Sequence, residues 1–361
     1  MKNSEAKLFT PGPIQMDPET IAIGGMQSQY FRTSAFSQIM LDCAARLKHL
    51  LDAPHDAEMI FLTASGTAAM EASVMNLFTP QDKLLIISGG TFGKRFKQIS
   101  EIYHIPSEVI SLEWDESFHP EMLTPYENAG ITGMLVNLCE TSTGQLYPMD
   151  AISAFCKRNH ICLVVDAISA FLCDSFSMKE SGASAVIISS QKGLALHAGM
   201  SFVAITKEAF ETRCAKNKPQ TLYFNFVDYQ QEMLRGQTPY TPGVAIINQL
   251  HDKLQRLEKA GTTASIACMT DLANYFRQQL LANTDFTYPD YPLSNCLTPV
   301  YCPKHNAKAI FDTLRDEHNI YITPCAGDIA SFLFRVAHMS QQLTRQDIDE
   351  LVTLLKQINE K

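Results

Sequence analysis

The sequence predicts an α/β protein with a large domain built on a mostly parallel sheet and a smaller α+β domain after it. Two observations support this prediction. Short, almost continuously apolar segments alternate with longer amphipathic ones as far as about residue 242. Apolar strands of this kind are typical of parallel sheets that helices cover on both faces. Beyond that residue helical patterns dominate, and 361 residues are enough for two domains.

Seven apolar runs bounded by polar or turn-forming residues are the candidate strands. They lie at 57–62, 83–88, 107–112, 131–137, 161–166, 185–190 and 201–205. Helical stretches between them lie at 67–78, 93–104 and 150–159. Because crossovers between parallel strands are right-handed, the carboxyl ends of these strands meet at one edge of the sheet. That edge is where α/β proteins bind ligands.

The C-terminal part begins with residues 244–282, which predict a long helix or a pair of helices broken at Gly261. After it come the segment 296–302, to which no element is assigned, a predicted helix at 304–318, a predicted strand at 331–337 and a predicted helix near 344–358. We therefore expect a large domain over 15–245 and a small domain over 246–361. Residues 1–14 contain two prolines that disfavour a helix, so we expect an arm that packs on the small domain or on a partner subunit.

Composition and charge exclude several classes of function. The net charge is −9 and no long basic run occurs, which argues against a nucleic-acid partner. No apolar stretch reaches the roughly 18–20 residues of a membrane span, and the N-terminus lacks an apolar signal core. A cytoplasmic protein without a membrane partner is expected. The 10 cysteines form no CxxC pair and the histidines no HExxH, so neither a metal site nor a disulfide framework is predicted.

Lys192 and Asp166 are the first candidates for chemistry. Each follows or ends an apolar strand, and the two strands are predicted neighbours, so both side chains belong at the ligand-binding edge. Alone, the local sequence of Lys192 favours a solvated loop lysine, and Asp166 fits a helix N-cap, a metal ligand or the partner of a cation. Together they fit pyridoxal 5′-phosphate (PLP), which needs a lysine for a Schiff base and a carboxylate opposite its pyridine nitrogen.

Three further loops follow strands at the same edge. Ser65-Gly66-Thr67 opens an alanine-rich helix, where backbone N–H groups and the helix dipole favour a phosphate. The run Gly89–Arg95 contains Phe92, which could lie on a ring or simply pack under the loop. The run Cys139–Gly144 supplies hydroxyl groups, for which a turn or capping role is the alternative. No P-loop or dinucleotide fingerprint occurs.

Taken in order, these loops resemble the class V aminotransferase family of fold-type I PLP enzymes. The branch is that of alanine–glyoxylate, serine–pyruvate and 2-aminoethylphosphonate–pyruvate aminotransferases, and the resemblance covers nearly the whole chain. The matching motifs are Phe9–Pro13, Ser65–Thr67, Glu140–Gly144, Val165–Ser169, Ser190–Lys192, Thr238–Pro242 and Phe334–Met339.

The resemblance implies a role for each matching residue. Lys192 would bind PLP and move the proton, and Asp166 would pair the pyridine nitrogen. Arg335 would bind the substrate carboxylate, for which a planar guanidinium is suited. Arg32 would face the substrate of either subunit, although Phe31 stands where the family has histidine. The remaining cofactor contacts would be Ser65, Gly66 and Thr67 with the phosphate, Gln191 near it, Phe92 and Ile168 on the ring, Thr141 near O3′, and Thr238 and Thr241 at the phosphate of the other subunit.

The predicted function is the transfer of an amino group from a small amino acid or aminophosphonate to a 2-oxo acid such as pyruvate or glyoxylate. The shared phosphate contacts imply a homodimer. A PLP-dependent lyase of the cysteine desulfurase type is the alternative, with Cys325 as its candidate nucleophile. A ligand-sensing regulator with the same fold is a further alternative, but such a protein would not need both Lys192 and Asp166.

Overall fold

The computed structural model describes residues 6–219 and 221–360; the first five residues of the predicted arm, Gln220 and Lys361 lie outside the described residues. The strands are β1 Lys7–Leu8, β2 Glu58–Leu62, β3 Leu84–Ser88, β4 Ser107–Ser111, β5 Gly133–Asn137, β6 Cys139–Glu140, β7 Gln145–Leu146, β8 Cys162–Asp166, β9 Ala185–Ser189, β10 Ser201–Ile205, β11 Leu297–Tyr301, β12 Ile320–Tyr321, β13 Thr323–Pro324 and β14 Leu333–Ala337. The helices are α1 Pro18–Gly24, α2 Ser34–Leu50, α3 Gly66–Leu77, α4 Thr91–Ile102, α5 Met149–Arg158, α6 Met178–Ser181, α7 Lys207–Ala209, α8 Phe226–Met233, α9 Val244–Ala260, α10 Thr262–Asn283, α11 Ala307–His318 and α12 Arg345–Glu360.

The seven predicted strands form one sheet, with the order β2-β10-β9-β8-β5-β3-β4. All neighbours are parallel except β10, which runs antiparallel to β9 and to β2. The reason lies between β9 and β10, where residues 190–200 contain no helix. A parallel return needs a crossover of a dozen or more residues, usually helical. This connection holds Lys192 at the carboxyl edge of β8 and β9.

Both faces of the sheet are buried, as the continuous apolar strands predict. In β3, Leu85 and Ile87 belong to one hydrophobic cluster, while Leu84 and Ile86 belong to the cluster on the other face. Successive side chains of a strand point to opposite faces, so the four apolar residues of this strand contribute alternately to the two cores. The mostly parallel α/β sheet is thus confirmed. Helices α1, α2, α6, α7 and α8 are present in addition to the predicted helices.

The C-terminal region has a three-stranded antiparallel sheet, β11-β14-β13, and the helices α9 to α12. The long helical pattern proves to be a pair of helices broken at Gly261, whose φ of +81° favours glycine. The arm reaches this region, because β1 pairs in parallel with β12 and Lys7 forms ion pairs with Asp347 and Glu350. No helix in the described ranges is both long and apolar enough to cross a membrane.

Candidate active site

Lys192 is half-buried at the carboxyl edge of the sheet, under the N-terminal arm. Its Nζ donates a hydrogen bond of 2.5 Å to the carbonyl oxygen of Pro11. A Cβ on Gly12 would lie only 2.7 Å from this nitrogen, so glycine is what lets the arm approach so closely. Burial lowers the pKa of Lys192, and the charges of Arg335 and Arg95 add to this effect. A lowered pKa increases the fraction of neutral amine, which is the nucleophilic form.

Asp166 ends β8 and is 5% exposed. Its Oδ2 accepts a hydrogen bond of 2.7 Å from Nδ2 of Asn137, which ends the neighbouring strand β5, and its Oδ1 accepts one of 2.8 Å from the Ile168 N–H. Burial raises the pKa of Asp166 to about 6, although these hydrogen bonds and the charge of Lys192 oppose the rise. A buried carboxylate in this state is stabilised by a cation placed next to it.

The start of α3 forms a narrow turn. Ser65 caps the helix, because its Oγ accepts a hydrogen bond of 3.3 Å from the Ala68 N–H. A Cβ on Gly66 would lie 2.6 Å from Cδ1 of Ile168, so this close approach requires glycine. The Oγ1 of Thr67 accepts a hydrogen bond of 2.9 Å from Arg95. The free N–H groups and the dipole of this 12-residue helix favour an anion at the turn.

The start of α4 fixes Phe92 through a buried carboxylate. Glu140 has no exposed surface. Its carboxylate accepts hydrogen bonds from the backbone N–H groups of Phe92 at 3.4 Å, Gly93 at 3.0 Å and Ser142 at 3.0 Å. A negative charge at the first turn of a helix is stabilising. Glu140 therefore ties the loop that contains Thr141 to the helix that contains Phe92.

Arg335 on β14 joins the C-terminal sheet to the loop after β5. Its Nη1 donates to the Thr141 carbonyl oxygen at 3.1 Å, and its Nη2 donates to the Pro324 carbonyl oxygen at 2.9 Å. Its Nε is buried and has no hydrogen-bond partner within the described chain. The hydroxyl of Thr141 donates to Ser169 at 2.9 Å. The guanidinium is thus held by two backbone carbonyls, while its Nε–H has no partner among the described residues.

Gln191 lies directly before Lys192 and is tied to the end of β9. Its Oε1 accepts a hydrogen bond of 2.6 Å from the hydroxyl of Ser189. The Cβ of Ser189 would lie 3.5 Å from a Cβ on Gly66. The end of β9 is therefore adjacent to the turn at the start of α3, and Gln191 is brought to the same edge.

Three predicted residues do not join this group in one chain. Arg32 donates to the Oε1 of Gln237 at 3.1 Å and to the Thr238 carbonyl oxygen at 3.0 Å. Thr238 is buried and donates to the Tyr240 carbonyl oxygen at 2.6 Å, whereas Thr241 is exposed. Their expected role at the cofactor phosphate or the substrate of the other subunit stays a prediction.

Sequence reasoning gave no role to Asn137, Glu140 or Arg95. A signal existed for Asn137, because it is a polar residue at the end of an apolar strand that neighbours the strand of Asp166. Glu140 and Arg95 lie inside the candidate loops Cys139–Gly144 and Gly89–Arg95. Glu140 binds the N–H of Gly93, 47 residues away along the chain, and Arg95 binds Thr67, 28 residues away. Only the folded chain shows which of these groups meet.

The fold and the side chains at this edge of the sheet define the class of protein: the chain has the architecture of the fold-type I PLP enzymes. The chain belongs to the aminotransferase class-V family, whose profile matches residues 22–346. The expected fold, family and transaminase activity are confirmed at this level.

Curated relatives and solved structures show the same likeness. The soluble hydrogenase 42 kDa subunit of Anabaena cylindrica is 26% identical over 92% of this chain and 88% of that protein. The 2-aminoethylphosphonate–pyruvate transaminase of Pseudomonas aeruginosa is 28% identical over 70% of this chain and 68% of its own length. The crystal structure of an alanine–glyoxylate aminotransferase from Nostoc sp. has a TM-score of 0.92 at 23% identity, over 99% of this chain and 96% of that one. This last likeness establishes the fold.

Proposed function

We propose that this chain is a PLP-dependent transaminase that moves an amino group from a small amino acid or aminophosphonate to a 2-oxo acid such as pyruvate or glyoxylate. One observation supports it most: Lys192 follows β9, Asp166 ends the neighbouring parallel strand β8, and Arg335 binds the carbonyl oxygen of Thr141 at the same edge of the sheet. An amine, a buried carboxylate and a guanidinium at one edge are the groups that transamination of an amino acid requires.

The residues present fit PLP. The turn at Ser65, Gly66 and Thr67 offers hydroxyl groups and a helix start to a phosphate. Asp166 is a buried carboxylate that an adjacent pyridinium cation would stabilise. The other contacts of the cofactor would be Phe92 and Ile168 on its ring, Thr141 near its phenolic oxygen, Gln191 near its phosphate and Lys192 at its aldehyde carbon.

When bound, PLP supplies an electron sink that stabilises negative charge at the substrate Cα. The chain's residues do the rest. Arg335 would bind the substrate carboxylate through its guanidinium and so orient the Cα–H bond. The neutral amine of Lys192 would remove that proton as a general base and return it, as a general acid, to the carbon on the other side of the substrate nitrogen. The carboxylate of Asp166 would stabilise a positive charge on the pyridine nitrogen of the cofactor.

The amine donor can be identified with a panel of alanine, serine, aspartate and 2-aminoethylphosphonate. Purified protein loaded with PLP should be yellow, and its visible absorbance should fall on addition of a true donor and return on addition of pyruvate or glyoxylate. Initial rates should follow ping-pong kinetics, because donor and acceptor use the same site in turn. A protein that neither binds PLP nor responds to any donor would contradict the proposal.

Arg335 should govern affinity for carboxylates. We expect Arg335→Lys to raise KM for a carboxylate donor by roughly 10-fold or more, because an ammonium replaces a planar fork with a single point charge. Its absorbance with bound PLP should stay the same. Arg235 is exposed, so Arg235→Lys is a matched control that should leave KM unchanged. Unchanged KM values for every carboxylate tested would exclude Arg335 from substrate binding.

The desulfurase alternative would require Cys325 as a nucleophile. Its Sγ lies 3.9 Å from the Ser142 carbonyl oxygen, and burial raises the pKa of its thiol. A reactive cysteine needs a lowered pKa, since the thiolate is the nucleophile. Transamination by a Cys325→Ser protein at the normal rate, with no sulfur release from cysteine by the native protein, would separate the two activities.

We further propose a cytoplasmic homodimer with shared sites. The support is the exposure of Met26, Tyr30 and Leu222, which are 66%, 69% and 78% exposed. Tyr30 is two residues from Arg32, and the Leu222 carbonyl oxygen accepts a hydrogen bond from Tyr240, two residues from Thr238. Large apolar side chains in this number indicate an interface. Sedimentation at the mass of two chains is expected, and a stable, active single chain would contradict it.

A further inference from the structure

Arg95 is a half-buried guanidinium on α4 that links two predicted cofactor contacts. Its Nη1 donates a hydrogen bond of 2.9 Å to the Oγ1 of Thr67. Its Cζ lies 4.7 Å from the centre of the Phe92 ring, over the ring face. This cation–π contact and the hydrogen bond together fix the side chain between the aromatic ring and the turn at the start of α3.

The charge of Arg95 has no carboxylate partner among the residues that the structure describes. Within residues 6–219 and 221–360, no carboxylate oxygen lies within 4.0 Å of its guanidinium nitrogens. The positive charge of Arg95 also acts on the site, because it contributes to the lowered pKa of Lys192. A partly buried cation without a counter-ion is unfavourable unless an anion binds beside it.

The hydrogen bond from Arg95 also determines which hydrogen bond the hydroxyl group of Thr67 can donate. A hydroxyl group has one hydrogen to donate and two lone pairs that accept. Because the Oγ1 of Thr67 accepts from Arg95, its own hydrogen remains free for another acceptor. Thr67 is in the first turn of α3, where the free backbone N–H groups already favour an anion. Arg95 thus makes Thr67 a donor to an anion at that turn.

We propose that Arg95 is the positioning residue of the cofactor phosphate: it orients the Thr67 hydroxyl toward the phosphate and supplies the positive charge that balances it. This inference rests on the proposed function. Arg95 touches the hydroxyl and the ring of Phe92, and it acts on the phosphate through Thr67. Its role therefore differs from that of Arg335, which faces the substrate.

The test compares two cofactor forms that differ only in the phosphate. Apoprotein is titrated with PLP and with pyridoxal, and binding is followed by absorbance. We expect Arg95→Met to weaken PLP binding roughly 10- to 100-fold, the effect of one charge-assisted hydrogen bond. Binding of pyridoxal should change little. Inorganic phosphate should protect the native apoprotein against heat more than it protects the variant.

Three further single variants and one double variant make the result specific. Thr67→Val should weaken PLP binding in the same selective way, and the double variant should lose less than the product of the two single effects, because the residues act as one unit. Arg95→Lys keeps the charge and should lie between native and Arg95→Met. The exposed Lys94 on the same helix is the control, and Lys94→Met should bind PLP normally.

Other outcomes would overturn the inference. Equal losses for PLP and pyridoxal would mean that Arg95 only supports the ring of Phe92. Normal PLP binding together with selective loss of 2-aminoethylphosphonate, relative to alanine, would assign the charge to a substrate phosphonate. Failure of the native protein to bind PLP would instead contradict the proposed function itself, so the two failures are distinguishable.

Discussion

Replacing Lys192 with alanine should abolish transamination and the visible absorbance of bound PLP. Loss of proton transfer alone lowers rates by roughly 10²- to 10⁴-fold, and loss of the amine that attaches the cofactor adds to this. The protein should remain folded, because Lys192 is only half-buried, although the substitution removes its hydrogen bond to the Pro11 carbonyl oxygen. Turnover of a saturating donor and an absorbance spectrum measure both effects.

Chemical rescue provides the control for Lys192→Ala. A small primary amine in solution should restore part of the proton transfer, whereas it should not affect a variant that is merely misfolded. Lys94→Ala, at an exposed lysine of the neighbouring helix, should behave as the native protein does. Full turnover and an unchanged spectrum in Lys192→Ala would show that another residue is the base.

Asp166→Asn should lower turnover by roughly 100-fold or more, with a smaller effect on KM. The amide has the same shape but carries no negative charge, so positive charge on the ring nitrogen loses its counter-ion. A loss of this size corresponds to about 3 kcal/mol of transition-state stabilisation. Asp174→Asn is a matched control, because Asp174 is also buried and also has a raised pKa. Native turnover in Asp166→Asn would refute the assignment.

We also expect Asp166→Asn to change how the stability of the folded apoprotein depends on pH. Burial raises the pKa of Asp166 to about 6 from an ordinary value of 3.8, so the folded apoprotein binds this proton more tightly than the unfolded chain. The contribution of Asp166 to stability is therefore present below about pH 4 and is lost as the pH rises through about 6. The difference amounts to roughly 3 kcal/mol.

Unfolding of the apoproteins by denaturant at pH 4 to 8 measures this contribution. The native apoprotein should lose stability across that window, and Asp166→Asn should lose less. Added PLP should stabilise the native protein most above pH 6, because the carboxylate is then ionised and pairs with a cation. Identical pH profiles for the two apoproteins would show that Asp166 is not destabilised by burial.

The sequence determined much of the architecture. All seven strands of the large sheet lie within two residues of their predicted bounds. This is so because a strand buried on both faces needs an uninterrupted apolar run, which can be read directly. Gly261 was likewise identifiable as a break between two helices. Lys192 and Asp166 were identifiable because a charged residue that ends or follows such a run is conspicuous.

Only the tertiary structure decided which polar groups meet. The hydrogen bond between Asn137 and Asp166 depends on the lateral pairing of β5 with β8. The contact of Lys192 with Pro11 joins residues 181 positions apart. The link between Arg95 and Thr67 joins the N-terminal parts of α4 and α3. Apolar periodicity is a local property of the chain, whereas hydrogen-bond partners depend on strand order and crossovers, which one sequence does not encode in any local pattern.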